Sequence, residues 1–382
     1  MIPYGRQNIN DEDIQSVVEV LRSDWLTQGP AVKRFELAMA AYCGAKYAVA
    51  VNSATSALHI ACLASGLGEG DTLWTSPNTF VASANSGRYC GAAVDFVDID
   101  PRTYNLSVDC LAEKLEQASR QGGLPKVLIP VHFSGQPCQM AEIADLAGRY
   151  GVTIIEDASH AVGAAYRGVK VGACESSAMT VFSFHPVKLM TTGEGGLVLT
   201  NNERLYDSLM RLRSHGITRD ESLMGGVSDG AWYYQQIELG FNYRMTDIQA
   251  ALGTSQLRRL DEFVERRRIL AQRYNYLLDG LPLITPWQHP DCASSWHLYV
   301  IRLPKQNRSR VFNALREADV GVNVHYIPVH LQPYYRHLGF NPGDFQEAEN
   351  YYSEAISLPM YPGLTEDQQL HVVHSLSKAI GT

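Results

Sequence analysis

Lys188 stands in an apolar stretch, Val187-Lys188-Leu189-Met190, between the run Thr180-Val181-Phe182-Ser183 and the turn Gly193-Glu194-Gly195-Gly196. Such neighbours strip water from an ammonium and lower its pKa, as a lysine that condenses with a carbonyl group requires. The glycines let the backbone pass close to a bound group. A lone lysine is more commonly a solvated surface residue, and its apolar flanks argue against that here. A second signal is Ile154-Ile155-Glu156-Asp157-Ala158-Ser159-His160. Its acidic pair closes an apolar run, and the C-terminal ends of strands are where open α/β sheets place ligands. A carboxylate there either holds a ring nitrogen protonated or braces a turn. The third signal, Asn52-Ser53-Ala54-Thr55-Ser56, follows the run YAVAV at 47–51 and opens a helix. Unpaired N–H groups and the helix dipole make that point an anion site. The same hydroxyls also suit a plain helix cap.

An anion site, a carboxylate for a ring nitrogen and a lysine for an aldehyde together describe a pyridoxal 5'-phosphate (PLP) site. No GxxxxGK[ST] occurs, and no GxGxxG follows a strand, so the ATP and dinucleotide fingerprints find no support. His371 and His374 lie three apart on the last helix; a solvated helix face suits them better than a metal, and no metal is expected.

These groups need a rigid frame. Short apolar runs at 47–51, 92–97, 127–131, 152–155, 178–182 and 197–199 read as buried strands, with helices at 13–22, 55–65 and 139–149 among them. Fully apolar strands alternating with helices predict an α/β sheet covered on both faces. After Asn242 the pattern changes. Thr246 or Asp247 caps a long helix that runs to about Asp279 and ends at Gly280. A smaller α+β region follows: strand 297–303, helix 308–318, strand 320–326 and a last helix 366–379. A large domain at 13–245 and a small one at 246–382 are expected, with residues 1–12 packing near the latter.

The 382 residues carry 32 Lys plus Arg against 40 Asp plus Glu, a formal charge of −8, with 45% apolar residues. That balance excludes a disordered chain and disfavours nucleic acid as a partner, since no basic stripe exists to neutralise phosphates. Seven cysteines without CxxC pairing read as reduced packing residues and predict a cytoplasmic setting. The start MIPYGRQNINDED has no apolar core of a signal peptide, and no apolar run nears a membrane span.

Longer stretches carry a resemblance. NSATSALH, PNTFVASANS, DIDPRTYN, EDASHAVGA, FSFHPVKLMTTGEGG, RSHGI and GFNYRMTDIQAALG are similar to the DegT/DnrJ/StrS family of nucleotide-sugar aminotransferases, from about residue 3 to the last helix. The resemblance implies an aspartate-aminotransferase-like PLP fold of type I: a large domain with a mostly parallel central sheet covered by helices, plus the smaller α+β C-terminal domain. Lys188 and Asp157 match the catalytic pair. Ala54, Thr55 and Ser183 match the phosphate cradle, and Phe80 the aromatic stacked on the cofactor. His160 stands where many members carry Gln. Asn242 matches a residue that reaches the phosphate of a neighbouring subunit, which implies a homodimer with shared sites. Tyr4, Trp25, Thr27, Arg244, His325 and Tyr326 fall in segments that line the substrate cleft of relatives; His215 has no derivable role.

DASHAVG, SFHPVK, VNVHYIPVH and EAISLPMYPGL resemble the branch of pseudaminic acid biosynthesis. That likeness implies a UDP-linked 4-keto-6-deoxy-N-acetylhexosamine as acceptor and L-glutamate as donor. Two further expectations stay open: the same chemistry on another 3- or 4-keto sugar carried by TDP or GDP, and a PLP-fold regulator without turnover. A sister dehydration chemistry carries His in place of the lysine, and Lys188 argues against it.

Overall fold

The computed structural model describes residues 1–304 and 306–381. The first part is a layered α/β unit. Helix α1 (Asp11–Leu21) starts from a capping box in which Asn10 and Asp13 exchange side-chain and backbone hydrogen bonds. Helix α2 (Pro30–Cys43) leads into β1 (Tyr47–Val51), and α3 (Ala54–Ala64) follows at once. Then come β2 (Thr72–Thr75), α4 (Val81–Tyr89), β3 (Ala93–Phe96), α5 (Val108–Gln121), β4 (Val127–Ile129), α6 (Met140–Arg149) and β5 (Thr153–Asp157). Strands β6 (Met179–Ser183) and β7 (Gly196–Thr200) complete the sheet, and α7 (Glu203–Arg213) packs behind it.

The strand order is β1-β7-β6-β5-β4-β2-β3. All neighbours run parallel except β7, which is antiparallel to β1 and β6. Helices cover both faces, so β1, β4, β6 and β7 are almost wholly buried, as their unbroken apolar runs require. Register places the chemistry: Gly196 pairs with Val51 on one side and Ser183 on the other, while Asp157 lies opposite Val181. The ends of β1, β5 and β6 therefore open on one edge.

Strand β2 lies outside the six expected runs, and two expected elements take another form. The single helix expected to run from Thr246 to Asp279 is two, α8 (Asp247–Leu257) and α9 (Leu260–Leu277). Arg259 leaves helical geometry (φ −106°, ψ 4°) and turns its guanidinium to Asn8 and the buried Asp13. The expected strand 320–326 forms no ladder. Val320 bridges Ile2, whereas Asn323 bridges Ser357, so its ends pair with different partners. Each is an isolated bridge to a residue distant in sequence, so no continuous ladder forms.

Strand β8 (Tyr299–Arg302) pairs antiparallel with β9 (Ala355–Leu358). Helices α10 (Arg308–Glu317) and α11 (Glu366–Ile380) pack against this pair. The apolar cluster around it begins at Leu270 of α9 and takes in Ile2 at its margin. Residues Leu260 and Val264, at the other end of α9, pack with Phe35, Phe184 and Ala250 in the core beside the large sheet. Helix α8 also serves that core: buried Asp247 accepts from the N–H groups of Gly29 and Ala31, both at 2.7 Å, and so caps α2.

Candidate active site

The edge where β1, β5 and β6 end opens into a cavity of about 500 Å³, within the usual range for a small-molecule site. Ala54, Thr55, Phe80, Asp157, His160, Ser183 and Lys188 line one wall; Tyr4, His297, Asn323, His325 and Tyr326 line the other. Ten of the residues singled out in the sequence thus meet in one place.

Ser53 caps α3, its Oγ accepting from the Ser56 N–H at 3.1 Å. The cap and the anion site are neighbours, not rivals: Ser53 closes the helix, while the Ala54 and Thr55 N–H groups keep no partner among the described residues. Gly196 explains the tight fit. A Cβ there would lie 2.4 Å from the carbonyl of Ser53 and 2.5 Å from the Ala54 nitrogen. A Cβ on Gly195 would strike Thr192. The glycines let two stretches of protein backbone meet, which differs from the expected approach to a bound group.

Asp157, 4% exposed, accepts from Ser83 Oγ at 2.7 Å and from the Ser159 N–H at 3.1 Å. Thr79 stands behind Ser83 at 2.8 Å, so a chain of hydroxyls fixes the carboxylate. Behind the strand, buried His132 takes the Cys138 N–H on Nδ1, which leaves Nε2 to donate to Glu156 at 2.6 Å. Glu156 belongs to this brace; Asp157 alone of the pair faces the cavity.

Burial pulls the Lys188 ammonium down to about 8, against the opposing pull of the Asp157 carboxylate. His160 lies far below its ordinary range, first through burial, then through the charge of Lys188. Its Nδ1 accepts from the Ser134 N–H at 3.3 Å, and its Nε2 meets Tyr326 Oη at 3.0 Å. A neutral imidazole bound this way carries its proton on Nε2 and donates to the tyrosine. Tyr326 is then free to turn its own proton to the cavity. His325 is lowered to about 3 by burial and by Lys188, and its Nδ1 meets Ser357 Oγ at 2.8 Å.

The wall fits PLP. Phe80 lines the cavity with 58% of its surface open, an apolar face broad enough for a ring. Free N–H groups for a phosphate, a fixed carboxylate and an amine of depressed proton affinity surround the same space.

Four expected residues lie elsewhere. Trp25 lines a separate cavity with Arg34 and Arg258. Thr27 is exposed and bridges Thr246. Asn242 is exposed and bridges Ser214, and Arg244 donates to Ser214 Oγ at 3.2 Å. His215 is exposed with a left-handed φ of 64°, and His371 meets the Ala318 carbonyl at 2.9 Å. Conversely, His297 and Asn323 line the cavity although neither was singled out: Asn323 lies within the stretch VNVHYIPVH, His297 within no quoted stretch, and both sit in segments that read as strand.

A family model, the DegT/DnrJ/EryC1/StrS aminotransferase family, matches residues 7–377. The chain belongs to this family. It is a PLP-dependent sugar aminotransferase. The spore coat polysaccharide biosynthesis protein SpsC of Bacillus subtilis is 41% identical over 98% of this chain and 96% of its own. The UDP-4-amino-4,6-dideoxy-N-acetyl-beta-L-altrosamine transaminase of Campylobacter jejuni is 38% identical over 94% and 93%. Among solved structures, the putative sugar aminotransferase Spr1654 of Streptococcus pneumoniae in its PMP form superposes with a TM-score of 0.91 at 28% identity, over 100% of this chain and 99% of that one. The family thus agrees with the cofactor that the cavity fits. Among the described residues no helix is long and apolar enough to cross a membrane.

Proposed function

We propose that this chain transfers the amino group of L-glutamate to C4 of a UDP-linked 4-keto-6-deoxy-N-acetylhexosamine, UDP-2-acetamido-2,6-dideoxy-β-L-arabino-hex-4-ulose, in pseudaminic acid biosynthesis. The observation that carries it is one cavity in which Lys188, Asp157 and the open start of α3 face a polar, uncharged wall. Neutral histidines, tyrosines and an amide suit the hydroxyl and carbonyl groups of a sugar. The name of the Campylobacter relative supports the acceptor.

When bound, PLP supplies a carbonyl for the lysine and a ring that takes up negative charge. Ala54, Thr55 and Ser183 would hold its phosphate, and Phe80 would cover a ring face, worth about 1 kcal/mol beyond burial. Asp157, kept in place by Ser83 and Ser159, would keep the ring nitrogen protonated. Lys188 Nζ would take the proton from the α-carbon of glutamate and, in the second half-reaction, deliver one to C4 of the sugar; an amine brought down to about 8 can do both near neutral pH. His160 acts through the hydroxyl of Tyr326, which with Tyr4 and His325 borders the sugar.

Trp25, Thr27, Asn242 and Arg244 would join the site of a second copy, Asn242 at the phosphate and Arg244 at the diphosphate. Large apolar residues left open between Ile217 and Asn242, with Trp232 at 71% and Leu239 at 78%, support a homodimer.

The test is a panel of keto sugars with L-glutamate as donor. The UDP-4-keto-6-deoxy sugar should exceed TDP- and GDP-linked sugars in kcat/KM by roughly 100-fold. The 41% identity to a spore coat polysaccharide protein favours a second reading, the same transfer to a different keto sugar. A TDP-linked sugar that outruns the UDP substrate would select it.

A further inference from the structure

His297 is a 4% exposed imidazole in the cavity wall, and neither ring nitrogen has a hydrogen-bond partner among the described residues. Nδ1 is fully enclosed and bare. Buried polar groups are ordinarily paired, so an unpaired one that borders a cavity asks what it pairs with.

Its place is not slack. Ser295 N–H donates to Gly135 O at 3.1 Å and Leu298 N–H to Ser134 O at 3.2 Å. Ser295 Oγ donates to His160 O at 3.0 Å. Gly135 (φ 98°) permits this contact, since a Cβ there would come within 2.9 Å of the His297 backbone nitrogen. From the other side buried Arg267 donates to the carbonyls of Trp296, His297 and Met360 at 2.8–3.2 Å. The backbone is thus clamped on both sides. The ring rests 4.4 Å from that of His160, and His160 has spent both nitrogens on Ser134 and Tyr326.

Burial first, then the cationic groups around it, decides which form His297 takes. A second proton would place an N–H on the enclosed Nδ1 with no acceptor, beside Arg267, His160 and Lys188. A neutral ring with its proton on Nδ1 would bury an N–H without an acceptor, the costlier orphan, so the proton belongs on Nε2 and makes that atom a donor.

We propose that His297 is a specificity residue of the sugar half-reaction, its Nε2–H donating to an uncharged oxygen of the acceptor sugar, a hydroxyl or the acetamido carbonyl. This deepens the sugar-aminotransferase reading and rests on it. A neutral donor favours a neutral oxygen, whereas a carboxylate gains more from a charged partner.

The test separates the two half-reactions of the PLP-loaded enzyme. His297→Phe keeps the ring volume and removes the donor; His297→Gln returns an amide N–H. In His297→Phe the kcat/KM for the keto sugar should fall roughly 3- to 10-fold, the range of one neutral hydrogen bond, chiefly through KM. The glutamate half-reaction, followed by the cofactor's absorbance, should stay within about twofold, and His297→Gln should recover part of the loss. Equal losses in both half-reactions would mark a structural role and overturn the proposal. So would a loss confined to glutamate, or no loss at all. If no keto sugar completes the cycle in the unmodified enzyme, the underlying reading fails instead, which is a separate result.

Discussion

Lys188 and Asp157 oppose each other in a way that can be measured. Burial favours the neutral amine and the carboxylate favours the ammonium, and burial wins, leaving the amine at about 8 where 10.5 is ordinary. Only the neutral amine condenses with a carbonyl, so cofactor loading of the apo protein should speed up as pH rises and level off above about 8. A rate still climbing toward 10.5 would deny the depressed value. Stability follows the same sign. The unfolded chain holds this proton to higher pH than the folded one, so the apo protein should gain stability with pH between about 8 and 10.5. Lys188→Ala should cut turnover by roughly 10²–10⁴-fold or more in a steady-state assay. Asp157→Asn should cost about 100-fold in rate with the circular dichroism spectrum unchanged; an unaffected rate would remove its role at the ring nitrogen. These two residues were legible because apolar neighbours and strand ends mark them. His297 was not, because Ser295-Trp296-His297-Leu298-Tyr299 has the look of a core strand, and only the tertiary fold brings the residue to the cavity wall.

At the scale of elements, the site depends on three strand ends held in register. Gly196 joins β1 to β6 and lets β7 start against the first turn of α3. Gly196→Ala should therefore weaken PLP binding about tenfold in an equilibrium titration and destabilise the fold by about 1–3 kcal/mol, the usual cost of overpacking. Normal binding with normal stability would show that the contact yields. The strands around this point were readable from sequence within a residue or two, since buried β-runs such as YAVAV have no polar interruption. The break between α8 and α9 was not. Gln256-Leu257-Arg258-Arg259-Leu260 contains no glycine or proline, and its apolar spacing continues through the turn. What breaks it is tertiary: Arg259 and Gln256 both reach Asp13, 243 or more residues away. The segment 320–326 misled for a similar reason, since its composition favours a strand but Ile2 and Ser357 divide its pairing.

For the whole molecule, the proposal of shared sites makes a sharp demand. Lys188→Ala and Asn242→Ala, each weak alone, should regain about a quarter of normal activity when mixed and re-equilibrated, because hybrid dimers carry one intact site. Failure to complement, with subunit exchange confirmed, would place Asn242 outside the site. Leu239→Glu should shift the protein toward monomer in sedimentation and lose activity with it. The central claim, that this cavity is a PLP site that takes nitrogen from glutamate and delivers it to a keto sugar, has a more direct test. The PLP-loaded protein is scanned before and after L-glutamate, then after the UDP-4-keto-6-deoxy sugar. The visible cofactor band should fade with glutamate and return with the sugar, while a 4-amino sugar forms in step. A band that glutamate leaves unchanged, or no band after PLP is supplied, would contradict the account.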